Sequence, residues 1–86
     1  MFEIDPREIE MVFIDSALTD NGFIKIADRF ERDKCIIKFN SSFTAFEISW
    51  RDRSNARCET VSENLNLYWL FGFLAAHDLI DRNFKL

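Results

Sequence analysis

The chain has 86 residues, of which 48% are hydrophobic and 30% charged, and it carries a net charge of −4. That length holds one domain spanning 1–86, and the composition lies far from that of a disordered chain. The acidic balance argues against general nucleic-acid binding, which depends on Lys and Arg neutralising phosphates. Two cysteines outside any CxxC pair, with a single histidine, leave no closed zinc site, so no metal or other cofactor is expected.

Asp5-Pro6-Arg7-Glu8 reads as a helix start, with Asp5 as cap, Pro6 at the first helical position and Glu8 completing a capping box. Ile9, Val12, Phe13, Ser16 and Ala17 then recur at helical spacing and form the expected core stripe, leaving Met11, Ile14 and Leu18 on a second side. Asp20-Asn21-Gly22 supplies the stop, with Gly22 suited to the left-handed conformation. Residues 1–20 hold six acids against Arg7, whereas residues 21–58 hold eight bases against five acids, so the chain is polarised.

From Phe23 the period changes to two, the sign of strands. Phe23 to Phe30 is the first, ended by the charged run Glu31 to Lys34. Cys35, Ile37 and Phe39 alternate with Ile36 and Lys38 in the second, and Asn40-Ser41-Ser42 turns the chain; that triplet also fits the glycosylation pattern, but a polar turn is the expected reading. In the third strand Thr44, Phe46, Ile48 and Trp50 point one way and Ala45, Glu47, Ser49 and Arg51 the other. Arg51 to Ala56 forms a polar turn, and Arg57 to Val61 a short fourth strand.

Ser62 is placed to cap a last helix running from about Glu63 to Asp81 or Arg82. On a wheel of 100° per residue, Leu65, Trp69, Gly72, Phe73, Ala76, Leu79 and Ile80 share the arc expected to face the sheet. Leu67, Leu70, Phe71 and Leu74 gather opposite and give way to Asp78 and Asp81; the expected cover for them is the first helix, through Ile14, Leu18 or Met11, and the alternative is a homodimer or partner face. The expected fold is α+β: an N-terminal helix, an antiparallel three- to four-stranded meander and a C-terminal helix, both helices on one sheet face.

No catalytic constellation emerges. His77-Asp78 lacks the further histidines a metal-dependent hydrolase needs, Cys35 reads as a small buried residue, and two glycines cannot build a phosphate-cradling loop. The expected work is therefore protein recognition rather than catalysis. Candidate partner-binding residues are Trp50, Arg51, Asp52 and Arg53, which set an aromatic beside forked cations, and the acids Glu8, Glu10 and Asp15, whose field would steer a basic partner. The opening MFEIDPREIE contains no basic start followed by an apolar run, from which a cytoplasmic protein with reduced thiols is expected, with no membrane partner.

Gly22, Phe23, Ile37, Phe39, Ser41, Ile48, Trp50 and Arg53, within LTDNGF, CIIKFNSS and FEISWRDR, together resemble a pattern of small cytosolic bacterial immunity proteins. The resemblance spans Leu18 to Arg53 and implies a protein that binds and neutralises one toxin domain. Two alternatives are a homodimeric structural or assembly protein and a phage-encoded inhibitor of a host defence protein or host enzyme.

Overall fold

The computed structural model describes residues 6–40, 45–63, 66–81 and 83–84. Helix α1 (Pro6–Asp20) is followed by strands β1 (Ile24–Ile26), β2 (Arg29–Arg32), β3 (Cys35–Phe39), β4 (Phe46–Arg51) and β5 (Arg57–Ser62), and then by helix α2 (Leu67–Ala76). The strands form one antiparallel sheet in the order β1-β2-β3-β4-β5. The α+β meander flanked by two helices is thus as expected, with five strands in place of three or four. The extra strand arises because Phe23 to Phe30 is not continuous. Ala27 and Asp28 form a two-residue connection between the paired Ile26 and Arg29, and Asp33 and Lys34 do the same between Arg32 and Cys35. Ala27 and Asp33 take positive φ (54° and 52°), the conformation that tight hairpins require. Neither turn carries a glycine, so the usual hairpin signature is missing from the sequence.

Register settles which side chains share a face. Phe39 lies opposite Phe46, Ile37 opposite Ile48, and Phe30 opposite Ile37. Phe30, Ile37, Phe46 and Ile48, with Cys35, join Ile14, Ala17 and Leu18 of α1 and Leu70, Phe71 and Leu74 of α2 in one buried cluster against which Phe39 packs, so both helices cover the same sheet face. Fully burying each large side chain of this set contributes roughly 1.5–3 kcal/mol. The other sheet face is open and carries Ile24, Ile26, Lys38, Glu47, Arg51, Arg57, Glu59 and Val61, all exposed.

Each helix turns most of its expected stripe away from the core, although Ala17 of α1 and Ile80 just beyond α2 are buried as expected. In α1, Ile14 and Leu18 are fully buried, whereas Ile9, Val12 and Phe13 are 44%, 67% and 58% exposed. The C-terminal cap fixes this orientation: Phe23 N–H donates to Leu18 O (2.9 Å) and Gly22 N–H to Thr19 O (3.2 Å), a Schellman motif with Gly22 at φ 90°. It draws Leu18 and Phe23, the entry to β1, into the core together.

In α2, Leu70, Phe71 and Leu74 are fully buried in one cluster with Ile14 and Leu18 of α1, and Leu67 and Met11 pack against it, so the expected cover by the first helix is found and the alternative homodimer face of Leu67, Leu70, Phe71 and Leu74 is instead the core side. Of the expected sheet-facing arc, Gly72 and Ala76 lie outward, Trp69 is partly exposed with its ring against Phe46, Phe73 and Leu79 are half-buried, Ile80 is buried, and Leu65 lies outside the described residues. The reason is length. Asn66 rather than Ser62 caps α2, accepting from Trp69 N–H at 3.0 Å, and the helix closes at His77 through Leu79 N–H to Leu74 O (2.8 Å) and Asp78 N–H to Ala75 O (3.1 Å). Asp78 adopts φ 56°, and a helix that has already ended never brings Asp78 or Asp81 beneath the stripe. Ser62 sits buried at the end of β5. The expected roles of Asp5, Ser41, Ser42, Thr44 and Arg82 fall outside the described residues.

Candidate protein-binding surface

On α1, the i, i+3, i+4 spacing of Ile9, Val12 and Phe13 aligns three large apolar side chains on the solvent side. With Glu8 they line a shallow depression of about 400 Å³. Asp20 is exposed at the far end of the same helix, and no basic residue occupies its last turn. The result is an apolar strip bounded by acids.

The three expected acids of α1 divide. Glu8 is exposed beside the strip. Asp15 is half-buried and pairs with Lys25 Nζ of β1 at 2.7 Å. Glu10 turns inward: its Oε1 accepts from Leu67 N–H at 2.8 Å. It thereby satisfies one of the free donors at the start of α2, where a negative charge also opposes the helix dipole, and α2 has no acid of its own in that turn. Glu10 therefore joins the two helices, which removes it from the expected partner-binding set.

Trp50, Arg51, Asp52 and Arg53 gather at the other side of the fold, around the β4–β5 turn. Trp50 is neither fully core nor surface; its ring is half-buried, 5.3 Å edge-on from Phe73 and 5.0 Å from His77. Phe73 continues the contact to Trp69 in a stacked pair at 5.3 Å, and Trp69 to Phe46 at 5.6 Å, so aromatic rings follow the flank of α2. Arg53 is almost fully exposed and reaches Asp78 Oδ2 at 3.3 Å. Asp52 organises the turn: its Oδ1 accepts from Ser54 Oγ (2.6 Å), Ser54 N–H (2.9 Å) and Ala56 N–H (2.9 Å). The Ser54 hydroxyl, followed by the Ala56 amide, holds this carboxyl below the usual carboxylate range. The expected partner set thus splits between two regions with α2 between them. The outer face of α1 was missed because the same spacing that marks it also marks a core stripe.

Cys35 is buried and its thiol is pushed up to about 12 by desolvation, with Arg32 acting weakly in the opposite sense. Cys58 is half-buried and free. Among the described residues, no three His, Cys, Asp or Glu side chains gather where they could hold a metal ion, and no helix is long and apolar enough to cross a membrane. No family model matches the chain, and no curated protein or solved structure matches it either.

Proposed function

We propose that the chain is a non-enzymatic protein-binding inhibitor of the immunity type, which neutralises a toxin or another protein by stoichiometric docking through the outer face of α1. The observation that carries this reading is the exposure of Ile9, Val12 and Phe13 together on one turn-spaced strip. Contiguous apolar surface on a small acidic domain is the mark of a contact site, and aromatic anchors such as Phe13 tend to dominate binding energy. Glu8 and Asp20 around the strip, and the net charge of −4, favour a partner with a basic rim. Toxins that act on nucleic acid need such a basic surface to hold phosphates.

The homodimer reading rested on Leu67, Leu70, Phe71 and Leu74, and their place in the core withdraws its support. The test is co-purification with the product of the neighbouring gene. A 1:1 complex is expected, and Phe13→Asp should weaken it by about tenfold or more while leaving the fold intact. Recovery of the chain alone, or a complex indifferent to Phe13→Asp and Val12→Asp, would reject the reading.

A further inference from the structure

The open sheet face carries a feature that the α1 surface does not involve. Register places Arg51 of β4 directly opposite Arg57 of β5, on the face away from the helices. Like charges in this relation stand about 4.5–5.5 Å apart at Cβ and repel, so the pair is unfavourable unless something offsets it. A third cation is held beside them. Asn55, at φ 65° in the β4–β5 turn, accepts from Lys34 Nζ through its side-chain oxygen at 3.2 Å and from Arg51 Nη1 through its main-chain carbonyl at 3.1 Å. The Asp52 hydrogen bonds to Ser54 and Ala56 fix the loop that sets Asn55 in place.

Lys34, Arg51 and Arg57 line one depression of about 190 Å³ together with Ile36, Ser49 and Trp50, and among the described residues no carboxylate lines it. Glu59 stands next to it and pairs with Arg57 at 2.7 Å; farther along the same face Glu31, opposite Ile36, pairs with Arg29 at 3.2 Å, and Glu47 lies opposite Lys38. With Glu31 and Glu47 each matched by a cation of its own, the three lining cations against the Glu59 carboxylate leave an excess of about two positive charges, matching the −1.5 to −2 of a phosphate monoester better than a carboxylate. The forked guanidinium groups suit its oxygens, and the Ser49 hydroxyl adds a rotatable donor.

We propose that this depression, formed by Lys34, Arg51, Arg57 and Ser49 on the open sheet face, is a binding site for a small phosphate monoester. Asn55 is a positioning residue that holds two of the cations, and Glu59 competes with the ligand for Arg57. The site is solvent-exposed, so the affinity is modest.

The test is an amide-resolved NMR titration of the full chain with methyl phosphate at constant ionic strength. Saturable shifts are expected at Lys34, Ser49, Arg51 and Arg57, with a dissociation constant on the order of millimolar. Arg51→Gln and Arg57→Gln should each weaken binding about five- to tenfold, as expected for loss of a charge-assisted contact. Glu59→Gln should tighten binding about threefold by releasing Arg57, a gain that mere damage to the sheet would not produce. Equal affinity for AMP and methyl phosphate identifies the phosphate alone as the ligand, and tighter binding of AMP identifies a nucleotide source. Shifts that fail to saturate, that acetate reproduces equally, or that survive in the double arginine variant overturn the proposal.

Discussion

Replacing Gly72 with alanine asks which side of α2 faces the sheet. Gly72 is the sixth residue of a ten-residue helix, it is exposed, and a Cβ built there meets no atom within 4 Å. The only effect of the added methyl is then on the backbone, where glycine in a helix interior costs about 0.8–1 kcal/mol relative to alanine. Gly72→Ala should therefore stabilise the domain by about that amount and raise its melting temperature by several degrees, at roughly 4–8 °C per kcal/mol for this size. Gly22→Ala supplies the opposite sign. At φ 90° an alanine is strained, and its Cβ would also approach Arg32 Nε at 3.4 Å, so a loss of about 1 kcal/mol or more is expected. Urea denaturation followed by circular dichroism and tryptophan fluorescence measures both changes. A lowered midpoint for Gly72→Ala at unchanged m-value would mean that the Trp69, Gly72 and Ala76 side is packed, and would refute the orientation of α2 described above.

Three further outcomes are expected. Glu10→Ala should cost about 0.5–2 kcal/mol by removing the carboxylate that accepts from Leu67 N–H, and Glu10→Gln, which keeps an acceptor, should recover part of that loss in thermal denaturation. A thiol reagent at neutral pH should label Cys58 before Cys35; because burial raises the Cys35 thiol to about 12 from 9.0, its contribution to stability is complete below pH 9 and declines as alkali ionises the unfolded thiol first. Asp52, held below the usual carboxylate range, contributes in the opposite direction: its turn is stabilised above the ordinary carboxylate range and loosens as acid protonates it, which hydrogen exchange at Ser54 and Ala56 would follow and Asp52→Ala would abolish.

How much of this was legible in the sequence depends on whether the deciding interaction was local. The Gly22 cap and the alternation of Phe46, Ile48 and Trp50 are set within a few residues, and both were read as they stand. The facing of each helix is not local. Ile9, Val12 and Phe13 follow the same spacing as a core stripe, and only the docking of Leu18 with Phe23, together with Glu10 at the start of α2, selects the other side. The end of α2 escaped notice because Asp78 takes the left-handed cap position where a glycine would have signalled it. The first hairpin escaped for the same reason at Ala27. At the open face, the sequence offers Arg51 as a candidate contact residue, but Lys34 and Arg57 join it only through strand register and the Asn55 turn, which no spacing along the chain reveals.

The acidic start and basic middle of the chain therefore become a division in space. α1 covers one side of the sheet, with Glu8 and Asp20 bounding its apolar strip, while Lys34, Arg51 and Arg57 occupy the opposite, exposed side. A partner seated on α1 would leave the cationic depression open to solvent. Since no residue lines both surfaces, their energetics should add: Phe13→Asp should leave methyl phosphate binding unchanged, and Arg51→Gln with Arg57→Gln should leave the protein complex within about 0.5 kcal/mol of the parent. A coupling well above that value in the double-mutant cycle would mean that one ligand bridges the sheet edge to both faces. The two sites would then be parts of a single, larger interface.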